Sequence, residues 1–185
     1  MTLRLLLLST IFAILTAVSS MFTIPFPLVP MTLQVAVVLL SGLLLGARGG
    51  VISQAFYVLL GLIGLPVFAG GEGGMQIIFK PTFGFLLGFI VAAATTGFLA
   101  RRAKSFYSYF FSCLAGIVVM YVSALPVLFL NLKYQAHLDI GLIEVLQIGL
   151  LPFIIPDVIK AYVASVVAVR LNSYFYIYGK DDARK

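Results

Sequence analysis

Charged side chains are scarce in this sequence. Only 10% of its 185 residues are Asp, Glu, Lys or Arg, while 62% are hydrophobic; ordinary soluble domains have about 25% charged and roughly 45–50% apolar residues. The mean hydropathy is +1.16. So few charges could not cover that much apolar surface in water, and composition therefore excludes a soluble enzyme, a disordered chain and a coiled coil. The solvent that fits this chain is lipid.

Tryptophan is absent, and cysteine and histidine occur once each, as Cys113 and His137. One cysteine forms no intrachain disulfide, and this pair is too small a set to hold a metal ion. Catalytic Ser-His-Asp sets, HExxH and nucleotide-binding motifs are missing as well. The net charge is +6, and the basic residues occur singly or in short clusters between apolar runs. They do not form the basic patch interleaved with aromatic residues that is typical of a nucleic-acid binder. We expect a binding or transport protein with no cofactor, no metal and no nucleic-acid partner.

Long apolar runs are what the sequence has in abundance. A membrane-spanning helix needs about 20 mostly apolar residues. The glycines and arginine of Gly46-Ala-Arg-Gly-Gly50 predict a turn, and Pro152 and Pro156 predict that the run from Ile140 to Leu171 divides into a short outer helix and a last span. The sequence predicts an all-α membrane protein, with residues 1–185 as one integral membrane domain of six transmembrane helices, at about 3–24, 33–47, 50–65, 82–100, 107–130 and 154–172.

The basic residues give an independent test of this topology, because cytoplasmic loops carry an excess of Lys and Arg. With six spans and both termini cytoplasmic, only Lys80 and Lys133 lie outside, and Lys160 lies within the last span. The remaining nine fall on the cytoplasmic side: Arg4, Arg48, Arg101, Arg102, Lys104, Arg170, Lys180, Arg184 and Lys185. This bias predicts a multi-pass protein of the plasma (inner) membrane.

The first apolar run has two interpretations. Arg4, an apolar core and Ala17-Val-Ser-Ser20 resemble a signal peptide with a small-residue cleavage region. The run continues to Ile24 and the chain beyond it is membranous, which favours a retained first span.

The clearest pair of charged residues in an apolar run is Asp157 and Lys160, in the last predicted span. A charge near the bilayer centre costs at least ~2.5–3.5 kcal/mol on insertion scales, so such residues are candidates for function. Three positions apart on a helix, they share a face and can neutralise each other, and Pro156 suits a first helical turn. A structural ion pair fits the pattern. We favour a ligand site, because an acceptor beside a donor complements a polar head group with both kinds of edge.

A glycine-rich loop on the outer side is the second candidate. Gly70, Gly71, Gly73 and Gly74 flank Glu72 and would let the backbone approach a ligand closely or form a gate. A plain flexible connector with a solvated glutamate fits the stretch equally well. No Walker lysine follows it, which excludes a nucleotide loop.

A proline-rich segment, Pro25-Phe-Pro-Leu-Val-Pro30, predicts extended chain at the outer face, because its prolines cannot lie in a helix interior. It leads to Gln34, an amide that enters the second span. A hydrogen bond across the spans is the simpler interpretation of Gln34, and contact with a ligand is the other.

Small residues form strips on two spans. Ala13 and Ala17 are four apart on the first, and Ala92, Ala93, Ala94 and Gly97 lie on the fourth. Such strips let another helix approach closely. Contact with a partner protein and packing within the chain both explain them.

Four of these motifs, in this order, resemble the BioY family, the biotin-specific substrate-binding subunits of energy-coupling-factor (ECF) vitamin transporters. The resemblance covers roughly residues 13–171. The matching segments are Ile24-Pro-Phe-Pro-Leu-Val-Pro-Met-Thr-Leu-Gln34, Gly64-Leu-Pro-Val-Phe-Ala-Gly-Gly-Glu-Gly-Gly74, Pro81-Thr-Phe-Gly-Phe-Leu-Leu-Gly-Phe89 and Ile155-Pro-Asp-Val-Ile-Lys160.

The resemblance implies a six-helix subunit without enzymatic activity that binds biotin near the outer face. Asp157 and Lys160 would hold polar groups of the ligand, Glu72 matches a contact position, and the glycine loop would close over the pocket. Ala13 and Ala17 match a motif that docks on a transmembrane coupling protein driven by two ATPases. The further predicted pocket residues are Gln34, Phe68, Thr82 and Tyr121, with Phe83 and Phe85 in the apolar wall.

This sequence departs from the family pattern at three places. Relatives commonly read Gly-Pro-Thr/Ser-Gly-Gly-Tyr where this chain has Lys80-Pro-Thr-Phe-Gly-Phe85. Pro156 directly precedes Asp157, where relatives commonly have an intervening glycine. A basic residue that meets the ligand's carboxylate in some relatives is missing, since Leu86 and Leu87 follow Phe85. We hypothesise that Lys80, the one cation of this loop, serves instead.

Three other functions stay open at this point. A subunit of the same architecture for a different vitamin would follow if the altered loop reshapes the pocket. An intramembrane enzyme would lose turnover when Asp157 is changed. A purely structural subunit would lose only stability on Asp157→Asn.

Overall fold

Helices account for most of the computed structural model, which describes residues 2–26, 28–103, 105–136 and 139–175, without the side chains of 135 and 172–175. Pro27, Lys104, His137 and the basic residues Lys180, Arg184 and Lys185 lie outside the described residues, so the predictions that involve them are not addressed. In chain order the helices are α1 (Leu3–Met21), α2 (Gln34–Leu62), α3 (Phe83–Ala100), α4 (Phe106–Leu130), α5 (Leu142–Gly149) and α6 (Leu151–Phe175).

Five segments of the described chain are long and apolar enough to cross a membrane. Four of them correspond to α1, α2, α3 and α4, the last extended to Tyr134 through a π-helical turn at Asn131–Gln135, and the fifth covers α5 and most of α6. The protein is therefore a helical, multi-pass type of membrane protein by length and composition.

Helix α2 is folded back on itself at Gly46. This residue has φ +70° and ψ 178°, a conformation that glycine adopts without the penalty of a side chain. The Gln34 Nε2 donates to the Tyr57 hydroxyl at 2.5 Å, although 23 residues of straight helix would separate them by about 34 Å. Residues 34–45 and 47–62 are thus two antiparallel helical segments. The predicted turn at 46–50 exists, but one residue suffices to make it.

Small residues bring α3 close to both of its neighbours, α2 and α4. A Cβ at Gly97 would lie 2.4 Å from the backbone nitrogen of Ala47, and one at Gly42 would lie 2.6 Å from the carbonyl oxygen of Ala93. Toward α4, a Cβ at Gly84 would lie 2.6 Å from the carbonyl oxygen of Ala124. Packing within the chain therefore accounts for the predicted strip on α3.

The strip on α1 also faces the interior. Ala13 is fully buried in the core of the subunit and Ala17 packs against that core. The opposite face of α1 exposes Leu7, Ile11 and Val18. Contacts inside the molecule therefore account for the small residue at position 13. The structure does not support the predicted contact of Ala13 and Ala17 with a partner protein.

The two ends of the helix bundle differ in construction. At one end the Ser9 hydroxyl donates to the carbonyl of Gly49 at 3.1 Å, so the start of α1 adjoins the Gly46 turn and the end of α3. At the other end a short antiparallel hairpin, β1 (Thr23–Ile24) with β2 (Met31–Thr32), encloses the proline-rich segment. A 3₁₀ turn at Met75–Phe79 lies in the loop between α2 and α3.

The last apolar run breaks at Leu150, between α5 and α6. Helix α6 begins at Leu151, so Pro152 occupies its first turn. The prediction that Pro156 lies in the first turn is wrong: Pro156 lies inside α6, and Asp157 follows in its second turn. The position of Asp157 is therefore not explained by capping of the helix end.

Candidate ligand-binding site

A cavity of about 360 Å³ opens at the end of the bundle that carries the hairpin. This size lies in the range of small-molecule sites, which are concave and mostly apolar with a few placed polar groups. The lining comes from the proline-rich segment, the start of α2, the glycine loop, α3, α4 and α6. Ten of the predicted site residues line it: Gln34, Phe68, Gly70, Glu72, Lys80, Thr82, Phe85, Tyr121, Asp157 and Lys160.

Asp157 is the centre of a buried polar group in this cavity. Its Oδ1 accepts a hydrogen bond from the Lys160 ammonium at 2.8 Å, and its Oδ2 accepts one from the Tyr121 hydroxyl at 2.5 Å. Asp157 is 2% exposed and Lys160 8%. A charge this deep is costly unless it is paired and hydrogen-bonded, and here both carboxylate oxygens have donors. The ion pair predicted from the i, i+3 spacing is confirmed, with Tyr121 as a third member.

Hydrogen bonds to both the oxygen and the nitrogen of its side-chain amide fix the orientation of Gln34. Its Oε1 accepts from the Thr32 hydroxyl at 3.0 Å, and its Nε2 donates to Tyr57. The Tyr57 hydroxyl donates in turn to the carbonyl of Val67 at 3.2 Å, which also accepts from Ser20 at 2.8 Å. Gln34 thus makes the cross-helix hydrogen bond that its sequence context favoured, and it lines the cavity as well.

The glycine loop is an ordered turn that starts at Phe68. The Phe68 N–H donates to the carbonyl of Glu72, and the Gly71 N–H donates to the carbonyl of Phe68, each at 3.0 Å. Gly70 and Gly71 have φ of +80° and +73°, which favours glycine at both positions. The Phe68 ring packs edge-on against Tyr57, with centroids 5.5 Å apart.

Of the four loop glycines, only Gly70 lines the cavity. Gly71 forms the tip, Gly73 lies against the carbonyl of Leu65, and the Gly74 N–H donates to the carbonyl of Gly61 at 2.7 Å. These three glycines determine the shape of the loop and do not line the cavity.

Glu72 and Lys80 form an ion pair beside the glycine loop. Their side chains are 39% and 43% exposed, so the pair lies at the open part of the lining. The Asn131 side chain donates to the carbonyls of Lys80 at 2.7 Å and Ile78 at 3.3 Å, which ties the loop to the end of α4. Glu72 is therefore partly solvated, as one interpretation of the loop has it, and it is also paired with Lys80.

The apolar wall is only partly the one predicted. Phe68, Phe85 and Tyr121 line the cavity, and the last two contact edge-on at 6.1 Å between centroids. The structure places Phe83 outside the lining. The aromatic residues that sequence reasoning missed are Phe26, Phe89 and Phe153.

A local signal for Phe153 was present in the sequence. Phe153, Asp157 and Lys160 are spaced i, i+4 and i+7, which is one face of a helix, and Phe89 repeats Phe85 one turn later. Phe26 gave no such signal, because it meets Phe153, at 6.0 Å between ring centroids, only through the tertiary fold.

Comparison with known proteins identifies what this chain is similar to. The BioY family model matches residues 1–176. The chain is 43% identical to the biotin transporter BioY of Thermotoga maritima, over 88% of this chain and 92% of that one, and 39% identical to the probable biotin transporter BioY of Lysinibacillus sphaericus, over 89% and 84%.

A solved structure gives the same result for the fold. The S-component for biotin from an ECF-type ABC transporter superposes with a TM-score of 0.84 at 26% identity, over 97% of this chain and all of that one. On the family match, the identity to these relatives and the shared fold, the chain belongs to the BioY family.

Proposed function

We propose that this protein binds biotin in the described cavity and serves as the substrate-binding subunit for biotin uptake. The observation that carries the proposal is the buried Tyr121–Asp157–Lys160 group in an apolar, aromatic-walled cavity. Relatives that the chain matches over 92% and 84% of their length are named biotin transporter and probable biotin transporter. The function is binding and transport, without a chemical step.

The polar and apolar parts of biotin match the polar and apolar parts of the cavity lining. The ureido ring of biotin offers two N–H donors and one carbonyl acceptor. A carboxylate oxygen accepts more than one hydrogen bond, and an ammonium has three donors, so Asp157 can accept from a ureido N–H and Lys160 can donate to the carbonyl while they stay paired. The fused rings would contact Phe68, Phe85 and Phe153. Gln34, Thr82 and Gly70 complete the proposed contacts.

Lys80 is the proposed partner of the ligand's carboxylate. It lies in the exposed part of the lining, whereas Lys160 lies in the buried part. A ligand with a polar ring at one end and a carboxylate on a chain at the other can therefore meet a cation at each end.

Six transmembrane spans with cytoplasmic termini are the topology that we propose. The fold of α2 at Gly46 supports six crossings, because residues 34–45 and 47–62 run in opposite directions. Arg48, Arg101 and Arg102 lie at the end of the bundle away from the cavity, as cytoplasmic residues would. The cavity then opens at the outer face of the plasma membrane.

An ECF transmembrane coupling protein with two ATPase subunits is the proposed partner. The support is the likeness to an S-component from an ECF-type ABC transporter. Co-purification of a tagged subunit from its native membrane would identify this partner.

The proposal is tested by calorimetric titration of biotin into the detergent-purified protein. We expect saturable binding by the wild type, abolished or weakened more than about tenfold by Asp157→Asn, which loses charge-assisted hydrogen bonds worth roughly 1.5–3 kcal/mol. Asp139→Asn, the same change at an exposed residue outside the cavity, should leave the affinity unchanged.

Absence of binding by a folded wild type would refute biotin as the ligand, and a panel of other vitamins would follow. Binding that Asp157→Asn leaves intact would refute the proposed site. An effect of Asp157→Asn on melting temperature alone would indicate a structural role.

A further inference from the structure

Two pairs of opposite charge line the same cavity, and they differ in exposure. The side chains of Asp157 and Lys160 are 3% and 10% exposed, against 39% and 43% for Glu72 and Lys80. The first pair is fixed at the closed end, with Tyr121 as an additional donor. The second pair lies at the opening, where water competes for both charges and weakens their attraction.

The two members of the exposed pair are held differently. The backbone at Lys80 is fixed by the Asn131 side chain at 2.7 Å and by its own N–H, which donates to the carbonyl of Ile77 at 2.9 Å. The Glu72 carboxylate has Lys80 as its one hydrogen-bond partner within the described part of the chain. Rotation of the Glu72 side chain into solvent would therefore free the Lys80 ammonium without moving the loop backbone.

We propose that Glu72 is a specificity-determining residue that competes with the ligand's carboxylate for Lys80. This inference rests on the proposed binding of biotin. A ligand carboxylate that reaches Lys80 displaces Glu72, because two carboxylates beside one ammonium repel each other. The exchange replaces one ion pair by another, so Glu72 subtracts from the affinity that Lys80 contributes. A ligand without a carboxylate leaves the Glu72–Lys80 pair intact.

The test compares biotin with biotinol, in which an uncharged hydroxyl replaces the carboxylate, by calorimetry on purified full-length variants. We expect Glu72→Gln and Glu72→Ala to tighten biotin binding by roughly two- to fivefold, the range of a partly exposed ion pair, and to leave biotinol binding within twofold. Lys80→Gln should weaken biotin and spare biotinol. In the Lys80→Gln background, Glu72→Gln should have little further effect.

Controls separate the possible failures. Lys133→Gln removes an exposed lysine that does not line the cavity and should change neither affinity, and melting temperatures check the folding of each variant. If the wild type binds no biotin, the proposed function itself fails.

If the wild type binds biotin and Glu72→Gln weakens it, or changes biotin and biotinol equally, Glu72 contacts the ligand in another way and the competition is refuted. The competition is also refuted if Glu72→Gln changes the affinity for biotin as strongly in the Lys80→Gln background as it does in the wild type.

Discussion

At the scale of single residues, the charged groups whose burial costs the most free energy are paired with each other. Asp157 and Lys160 are both buried, and each is the other's counter-charge. Removing one partner of a buried pair leaves an uncompensated charge and typically costs 3–5 kcal/mol, whereas replacing both by neutral groups of similar size is often nearly neutral. Stability and ligand binding can therefore be separated at this site.

We predict that Lys160→Met lowers the melting temperature of the detergent-solubilised protein strongly, because Asp157 is then buried without its cation. The double variant Asp157→Asn/Lys160→Met should recover most of the loss and still fail to bind biotin. Circular dichroism melts and calorimetry measure the two properties. A double variant as unstable as the single one would contradict this account, as would one that binds.

At the scale of helices, close packing depends on glycine at points where backbones meet. The Gly97 position abuts the backbone of Gly46 and Ala47, so α3 holds the fold of α2 in place. Backbone atoms cannot rotate away as the end of a side chain can, and a methyl group added there must push the elements apart.

We predict that Gly97→Ala destabilises the protein by about 1–3 kcal/mol, the usual cost of overpacking a well-packed interior. Val91→Ile adds the same single carbon on the exposed face of α3 and should have little effect. Thermal unfolding in detergent makes the comparison. Equal stability of the two variants would show that α3 and the turn can separate at no cost.

What the sequence allowed us to predict at this scale was local. The Gly46 turn, the break before α6 and the Asp157–Lys160 pair follow from glycine, proline and helical spacing within a few residues. The contact of Phe26 with Phe153 joins separate elements, that of Tyr57 with Gln34 joins the two segments of α2, and that of Glu72 with Lys80 joins two parts of one loop. The spacing of neighbouring residues encodes none of these contacts. The position of Pro156 was misjudged because Pro152 already occupies the first turn of α6.

At the scale of the whole molecule, the two ends of the bundle have different roles. One end carries the hairpin, the glycine loop and the cavity. The other gathers the start of α1, the Gly46 turn and the end of α3, together with Arg48, Arg101 and Arg102. The basic residues at this end are the basis for its proposed cytoplasmic orientation.

We predict that the two ends label from opposite sides of the membrane. In a Cys113→Ser background, a cysteine replacing exposed Asp139 should react with an impermeant maleimide on intact cells. A cysteine replacing exposed Arg102 should react only after permeabilisation. The reverse pattern would invert the orientation, and labelling of both from outside would overturn the six-span topology.

The pairing of charges around the cavity has an electrical consequence. The formal charges of Asp157, Lys160, Glu72 and Lys80 cancel, so the site adds no net charge to the bilayer, whereas a bound ligand with one carboxylate adds one negative charge. A membrane potential acts on that charge with about 2.3 kcal/mol per 100 mV. With the interior negative, the membrane potential would oppose inward transfer of the site with its ligand bound and would not act on return of the empty, uncharged site.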